Sequence, residues 1–265
     1  MTPWSATLST ALADAWALVA PVDCAGCGAP DRALCRECAP ALRSRLRCAV
    51  LDGDDSALPL VAALSAECVG AQLPLVAALS YDGVVRRVVL ALKHEGRTEL
   101  ARVLAVPLLD AVTAAWRGSG AQLLVPVPGS RTGAARRGFA PAALIARRAG
   151  LVVTPALRVA VSGPEQKALR LEQRLAADAT RWRASPRVSG RRVLLIDDVV
   201  TSGATLRAAA RALREAGAEV AGCAAIAATP RRQGTSSIHW RFMVDDDQRH
   251  GDNRPGEDYR EGKEA

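Results

Sequence analysis

The sequence predicts an α/β fold, and three observations lead to this fold class. From Tyr81 to Pro230, short apolar runs of strand length alternate with helical patterns, which is typical of βαβ units. Aromatic residues make up only 3% of the chain, so the core must be built from Ala, Val and Leu. A hydrophobic content of 49% over 265 residues is ample for one medium domain with attachments.

The individual elements follow from periodicity. Three segments have the helical spacing of apolar residues: 84–92, 99–115 and 140–149. Three others are short apolar runs of the kind expected for buried strands: 122–127, 192–196 and 219–227. A fourth helix is expected from Leu206 to a stop at Gly217. The stretch from Ser162 to Ser189 has weak periodicity and many charges, which predicts a mobile excursion.

Charge and hydropathy limit the function classes. The net charge is +8, and the body up to Pro230 carries +9, from 28 basic and 19 acidic residues. A basic body suits a polyphosphate substrate and equally suits weak nucleic-acid contact. No basic residue precedes Arg32, which argues against a signal or transit peptide. The most apolar stretch, about 57–81, contains two prolines and Glu67, so we expect no membrane span and a cytoplasmic protein.

Four cysteines near the N-terminus have metal-ligand spacing, as Cys24-Ala-Gly-Cys27 and Cys35-Arg-Glu-Cys38. In a reducing compartment, such pairs favour a tetrahedral zinc site over disulfides, with a redox pair or a metal-free knuckle as the alternatives. Four thiolates leave zinc no open position, so the predicted Zn²⁺ would be structural. The remaining cysteines have no partner spacing: Cys48, Cys68 and Cys223.

The regions outside the α/β pattern complete the domain division. Residues 1–20 place apolar side chains on one helical face, as in a docking helix. Leu-Pro-Leu-Val-Ala-Ala-Leu-Ser occurs at 58–65 and again at 73–80, which we interpret as a local duplication or two edge strands. The polar end of the chain predicts disorder, although 238–244 could be a short sticky segment. The expected divisions are an N-terminal helix and zinc ribbon (1–50), a linker with edge strands (51–80), the main domain (81–230) and a disordered tail (231–265).

The segment 193–206 carries the most chemistry. Four branched apolar residues form a buried strand, Asp197 and Asp198 end it, and a turn of small residues opens the next helix. The turn from Thr201 to Thr205 can aim backbone N–H groups and hydroxyls at a phosphate. The two carboxylates can accept hydrogen bonds from vicinal sugar hydroxyls. A phosphate grip beside a diol grip indicates a 5-phosphoribosyl group; the alternative is an ordinary strand-turn-helix with a polar strand end.

This segment resembles the PRPP-binding signature of type I phosphoribosyltransferases, and the chain resembles the ComF family, competence-protein relatives of amidophosphoribosyltransferase, over about residues 15–230. The motifs that carry the family resemblance are the paired Cys-x-x-Cys, Tyr81-Asp-Gly, Leu92-Lys93, Pro126-Val-Pro128, Arg137-Gly-Phe139, Gln166 with Leu169 and Arg174, and Asp197-Asp198 through Thr205. The chain departs from the family pattern at Ala140-Pro141 and at Ala177, both on the side of the second substrate.

The resemblance implies the Rossmann-like parallel sheet of type I phosphoribosyltransferases, with a PRPP site at the carboxyl ends of its strands. Asp197 and Asp198 would hold the ribose hydroxyls. The implied 5-phosphate loop comprises Val199, Val200, Thr201, Ser202, Gly203, Ala204 and Thr205. The implied pyrophosphate side comprises Lys93, Pro128, Gly129, Ser130, Arg131 and Arg137, where an ordinary Pro-Gly turn is the alternative. A mobile loop would contribute Gln166, Lys167 and Arg174, which are otherwise solvated surface residues.

The implied reaction transfers the phosphoribosyl group from PRPP to a nitrogenous acceptor, with Mg²⁺ bound to the pyrophosphate. Two other functions stay open. A non-catalytic PRPP-fold protein could support DNA uptake through its basic surface, as the competence association of the family suggests. Alternatively, the zinc ribbon and the helix at 1–20 could dock a partner protein. The sequence identifies neither the acceptor nor the oligomeric state.

Overall fold

The computed structural model describes residues 22–51, 73–129, 137–159, 182–230, 238 and 240–243. Several predicted features lie outside these residues: the helix at 1–20, the repeat copy at 58–65, Cys68, Ser130, Arg131, Gln166, Lys167, Arg174, Ala177 and the tail beyond Met243.

The described strands are β1 (Arg47–Val50), β2 (Pro74–Ser80), β3 (Leu123–Pro126), β4 (Leu157–Val159), β5 (Trp182–Ala184), β6 (Arg192–Val200), β7 (Glu219–Ala228) and β8 (Arg241–Phe242). Six of them form the central sheet in the order β3-β6-β7-β2-β1-β8. The four strands from β3 to β2 in that order are parallel, and β1 and β8 add antiparallel pairs at one side. This mostly parallel sheet confirms the predicted α/β class. Strands β4 and β5 pair separately.

The described helices are α1 (Gly83–Leu90), α2 (Ala101–Trp116), α3 (Pro141–Arg148) and α4 (Ala204–Glu215), with short 3-10 turns at Ala39–Leu42, Thr98–Leu100 and Pro186–Val188. All four helices were expected within a few residues of these bounds. After α1 the chain continues into a π-helical turn, Ala91–Glu95, which ends at Gly96 in the left-handed conformation (φ +72°). No helix of the described residues is long and apolar enough to cross a membrane.

Helices cover both faces of the sheet. Val193 and Leu195 of β6 pack with α4, whereas Leu194 and Ile196 pack with α1, α2 and α3. This division follows from the strand period of two, which sends successive side chains to opposite faces. Because both faces are buried, the strand is a continuous apolar run rather than an alternating one.

Strand β2 lies in the interior of the sheet, parallel to β7 and antiparallel to β1. The expectation of an edge strand at 73–80 is therefore wrong, and the main sheet begins before residue 81. The physical reason is the composition of the strand: Leu75 to Leu79 are five consecutive apolar residues, all buried. An edge strand is usually protected by charged residues or by proline along its length, and this run has no charge.

The region beyond Pro230 contributes to the fold. Strand β8 pairs with β1, with Phe242 opposite Arg47 and Arg241 opposite Cys48. Ile238 is buried in the cluster under α4. The expected disordered tail is therefore corrected at residues 238 and 240–243, within the segment 238–244 that we singled out as sticky, because β8 covers the otherwise open edge of β1.

The last part of the expected mobile excursion is ordered. Trp182 to Ala184 form β5, and the Trp182 side chain is buried against the α4 face. Pairing with β4 satisfies the backbone of this segment, a long-range contact that periodicity within 162–189 does not reveal.

Candidate functional site

Asp197 and Asp198 lie within the paired part of β6, not after its end. The strand was expected to end at Ile196, but its pairing with β7 continues through Asp197 and Val199 to Val200. From the strand period, Asp198 faces the same side as Ile196, and Asp197 faces the α4 side. Both acids are half-buried.

Lys93 is the partner of Asp198. The Lys93 Nζ lies 2.7 Å from the Asp198 Oδ1, and the two side chains are 22% and 14% exposed. Lys93 is carried by the π-helical turn after α1, a type of turn that often occurs at functional sites. An ion pair that is largely shielded from water is held more firmly than a surface pair. The resemblance implied a position against pyrophosphate, and the structure places Lys93 on Asp198.

The segment after β3 runs beside the same acids. The Val127 backbone N–H donates to the Ile196 carbonyl at 2.8 Å, so Pro128 and Gly129 follow directly at this edge. A Cβ added to Gly129 would lie 3.1 Å from Arg137 Nη2. Arg137 in turn donates from Nη1 to the Lys93 carbonyl at 3.4 Å.

Arg137 also retains donor capacity. Its Nε atom is buried and has no hydrogen-bond partner among the described residues. A buried guanidinium N–H without an acceptor is costly, and an incoming anion would relieve that cost. The structure thus brings together three predicted pyrophosphate-side positions: Lys93, Gly129 and Arg137.

The turn after β6 is a candidate anion cradle. Thr201 and Ser202 are exposed, and Gly203 forms the N-cap of α4 with φ +73°. The N–H groups at the start of the helix and the helix dipole favour a negative ligand here. Ser202 Oγ accepts a hydrogen bond from the Ala204 N–H at 3.4 Å, which shapes the turn. Of the other predicted loop members, Thr205 is exposed, Val199 is half-buried and Val200 is buried in the core.

The space behind Gly203 is full. A Cβ at this position would lie 2.6 Å from Leu51 Cδ2 and 3.3 Å from Ile238 Cδ1. Both the positive φ and this close packing select glycine. The buried tail residue Ile238 therefore supports the loop directly.

Two loop-supporting residues were not predicted. Arg207, in the first turn of α4, donates from Nη1 to the Ser202 carbonyl at 2.8 Å and from Nε and Nη2 to the Leu51 carbonyl. Thr229, after β7, donates from its N–H to the Val200 carbonyl at 2.9 Å. One signal was available for Arg207: a cation in the first turn of a helix opposes the dipole, which indicates a specific contact.

The four spaced cysteines form a compact cluster. Their Sγ atoms all lie within 4.8 Å of one another, and Cys27 Sγ and Cys35 Sγ are 3.6 Å apart. Tetrahedral zinc with Zn–S bonds of about 2.3 Å requires sulfur separations of roughly 3.8 Å, so the arrangement can hold a zinc ion. Cys24 Sγ accepts from the N–H groups of Gly26 and Cys35, both at 3.3 Å.

The surroundings of the cysteines shift the pKa values of Cys24 and Cys38 in opposite directions. Burial raises the pKa of the Cys38 thiol to about 12, and the neighbouring thiols act in the same direction. Burial also acts to raise the pKa of Cys24, but backbone N–H donors from Cys35, Cys27 and Gly26 outweigh it and lower that pKa to about 6. A thiolate is therefore favoured at Cys24, the form that binds metal.

The cysteine cluster packs on α1, the helix that leads to Lys93. Arg87 Nε donates to the Gly26 carbonyl. A Cβ on Gly26 would lie 2.6 Å from Cys38 Sγ and 3.0 Å from Val84 Cγ1. The cluster is therefore fitted closely to the start of α1.

Comparison with known proteins finds similarity to a family model, to curated proteins and to solved structures. Residues 132–258, just under half of the chain, match the family model for a phosphoribosyl transferase domain. The chain is 66% identical over 35 residues to an orotate phosphoribosyltransferase of Nocardioides sp. (strain ATCC BAA-499 / JS614), covering 13% of this chain and 20% of that protein. It is 38% identical over 121 residues to an adenine phosphoribosyltransferase of Kineococcus radiotolerans, covering 45% and 60%. The structure of a phosphoribosyltransferase from Corynebacterium diphtheriae is 23% identical, covers 54% of this chain and 71% of that chain, and has a TM-score of 0.30.

The curated matches cover only part of those proteins. An orotate phosphoribosyltransferase of Streptomyces avermitilis is 38% identical over 68 residues, which is 37% of that protein. The chain thus spans between a fifth and three fifths of the length of these relatives. Within that limit, the family match and the relatives show that part of the chain is similar to phosphoribosyltransferases.

Proposed function

We propose that this protein binds PRPP with Mg²⁺ and transfers its 5-phosphoribosyl group to a nitrogenous acceptor, releasing pyrophosphate. The observation that carries this proposal is the Lys93–Asp198 pair one short turn before the cradle at Gly203. A carboxylate grip, a cation and an anion cradle at one strand end match the three parts of PRPP: the ribose diol, the diphosphate and the 5-phosphate.

The 5-phosphate would be held by the turn from Thr201 to Thr205. Its hydroxyls and the N–H groups at the start of α4 face solvent and provide donors. Arg207 does not need to touch the ligand, because its hydrogen bond to the Ser202 carbonyl fixes the turn from behind. Pre-organisation of this kind lowers the entropic cost of binding.

The ribose hydroxyls would donate to Asp197 and Asp198. A carboxylate has two oxygens and about four acceptor positions, so Asp198 can keep Lys93 on Oδ1 and accept a hydroxyl on Oδ2. Alternatively, the Lys93 side chain can leave Asp198 and bind the diphosphate, which would lie beside the π-helical turn that carries Lys93.

The diphosphate would lie between Arg137 and the backbone at Gly129, with Lys93 beside it. Ser130, Arg131, Gln166, Lys167 and Arg174 are proposed to complete this side. The buried Nε of Arg137 supports this position, because it has no acceptor among the described residues and a diphosphate oxygen would supply one. The carboxylates of Asp197 and Asp198 fit a magnesium ion shared with ligand oxygens, and the bound ion would supply charge neutralisation of the leaving pyrophosphate.

In the reaction, the nitrogen lone pair of the acceptor attacks the anomeric carbon as the bond from that carbon to the pyrophosphate oxygen breaks. Positive charge develops on the ribose ring, as in other glycosyl transfers. The carboxylates of Asp197 and Asp198 place negative charge beside it. The cationic side chains stabilise the departing pyrophosphate. No covalent intermediate with the protein is required.

We also propose that Cys24, Cys27, Cys35 and Cys38 bind one structural Zn²⁺. The support is the sulfur spacing and the N–H donors to Cys24. Closure of all four positions by thiolates gives the ion no role in the transfer reaction.

Two measurements test the transferase. Calorimetric titration with PRPP should show binding that requires Mg²⁺. A pyrophosphate-release screen should then identify an acceptor, starting with orotate and adenine, the bases in the names of the relatives. Absence of PRPP binding in the folded, zinc-loaded protein would refute the proposal.

A second candidate is a non-catalytic, cytoplasmic role in DNA uptake, which the resemblance to the ComF family implies. The body charge of +9 favours this alternative, because a basic surface binds nucleic acid. Salt-sensitive DNA binding together with PRPP binding but no pyrophosphate release from any acceptor would select it over the transferase.

A further inference from the structure

A small cavity lies at the same edge of the sheet, away from the acids of β6. Its volume is about 250 Å³, and its polar lining includes Arg43, Arg45, Arg47, Ser80 and Asp82. Ser80 is the last residue of β2, and β2 is separated from β6 by β7. Two strand spacings correspond to roughly 10 Å, so this cavity is distinct from the turn at Gly203.

The chain brings the three arginines to one side. Arg47 is opposite Ala77 in the ladder, and the Arg45 N–H donates to the Ala78 carbonyl at 2.8 Å, which continues the antiparallel pairing. Alternate residues of an extended segment share a face, so Arg43, Arg45 and Arg47 are presented together.

These arginines outnumber the acidic residues among the described residues that line the cavity. None of the three forms an ion pair with a described residue, and the Arg47 Nε is buried without a hydrogen-bond partner among those residues. The single acid of the cavity, Asp82, is exposed and accepts a hydrogen bond from Ser80 Oγ at 2.7 Å. Three guanidinium groups and one carboxylate leave a local excess of two positive charges.

The most enclosed of the three, Arg47, is held in place. Its guanidinium carbon lies 5.3 Å from the ring centroid of Phe242, a cation–π distance that orients the group. Burial lowers the pKa of Arg47, and the charge of Asp82 only partly opposes that effect. Clustered like charges without neutralisation are unfavourable unless an anion joins them.

We propose that Arg43, Arg45, Arg47 and Ser80 bind the phosphate or diphosphate group of a small ligand, at a second site separate from the turn 201–205. Guanidinium groups offer forked donors that match phosphate oxygens. The first turn of α1, at Val84 and Val85, also lines the cavity, and the positive end of the helix dipole there favours an anion as the arginines do. The volume is below the roughly 300 to 1,000 Å³ of sites for drug-sized ligands, which fits a charged head group better than a whole nucleotide.

The test measures the chemical modification of each arginine separately, so that pyrophosphate binding beside Lys93 and Gly129 can be told apart from binding in this cavity. The full chain is treated with phenylglyoxal, with and without inorganic pyrophosphate, and modification is quantified by peptide mass spectrometry. Arg43 and Arg45 are exposed, so both are open to the reagent. We expect pyrophosphate to slow modification of Arg45 by at least about fivefold, while Arg102, exposed on α2, is unaffected.

A binding measurement provides the second readout. In calorimetry with pyrophosphate, the double variant Arg43→Ala with Arg45→Ala should lose one site or bind there at least about tenfold more weakly, whereas the control Arg102→Ala should match the wild type. Both changed side chains are exposed, so folding is not at risk.

Two outcomes would overturn the proposal. Protection of Arg137 alone, with Arg45 unprotected, would mean that pyrophosphate binds only beside Lys93 and Gly129. Protection of Arg45 by a short oligothymidylate but not by pyrophosphate would assign the arginines to nucleic acid instead of a small ligand. Neither result depends on transferase activity, so failure here leaves the proposed function intact.

Discussion

Substitution of Gly203 by alanine separates two reasons for glycine at the head of α4. Gly203 has φ +73°, and an added Cβ would lie 2.6 Å from Leu51 Cδ2. Gly150 is a matched control, because its φ is +74° and nothing lies within 4 Å of its added Cβ. Gly150→Ala therefore measures the backbone cost alone, about 1 to 2 kcal/mol.

Gly203→Ala adds the steric cost. Insertion of a methyl group into packed space costs roughly 1 to 3 kcal/mol, so the total loss in the free energy of unfolding should be about 2 to 5 kcal/mol. In a Leu51→Ala background the closest blocking atom, Cδ2, is absent, and the cost of Gly203→Ala should fall toward that of Gly150→Ala, with Ile238 Cδ1 still in contact at 3.3 Å.

Urea unfolding of the wild type and of the four variants measures these differences. PRPP titration of the folded Gly203→Ala protein should in addition show weaker binding, because the turn must shift away from Leu51. Equal losses for Gly203→Ala and Gly150→Ala, or the same cost of Gly203→Ala with and without Leu51, would show that the packing behind the turn does not constrain it.

Three further predictions concern single features. Asp198→Asn should keep the fold but weaken PRPP binding by roughly 1.5 to 3 kcal/mol per lost charge-assisted hydrogen bond, with Asp110→Asn as control; unchanged calorimetric affinity would contradict the ribose grip. Elemental analysis should find one zinc per chain in the wild type and in Cys48→Ser but less in Cys38→Ser; metal-free wild-type protein would rule out the zinc site. Truncation after Pro230 should lower stability in thermal melts by at least about 1.5 to 3 kcal/mol, because it removes buried Ile238, whereas truncation after Met243 should not; equal melts would show that the segment is dispensable.

Local pattern was sufficient to predict much of the fold. The branched run before Asp197 and the small residues before Leu206 specify a strand and a helix through short-range preferences alone, and both lie where expected. The cysteine cluster was equally predictable, because ligand spacing is a local property.

The pairing of distant segments was not predictable in the same way. The pairing of β2 with β7 and of β1 with β8 depends on which buried surfaces meet. The sequence of one strand alone does not identify the strand with which it pairs. An apolar octapeptide with one proline can be an edge or an interior strand, and only the neighbouring strands decide.

The candidate site shows the same limit. Asp198 and the turn after it are contiguous in sequence and were identified from it, whereas the contact of Asp198 with Lys93 joins residues 105 positions apart. Support of the turn by Arg207 depends on Leu51, which belongs to another strand region and carries no motif. Such contacts arise from the crossover of the chain between strands, and composition does not encode them.

The pairing of β1 with β8 has a consequence for the order of folding during synthesis. Cys48 and Arg241 meet across 193 positions, so the ladder at this edge cannot close until residue 242 has left the ribosome. Until then, the nascent protein has an open strand at β1 and a turn at Gly203 without the cover of Ile238. Contacts between such distant positions form slowly, and a partly made chain with an open edge is prone to associate with others. The anion cradle is therefore among the last parts of the molecule to reach its final form.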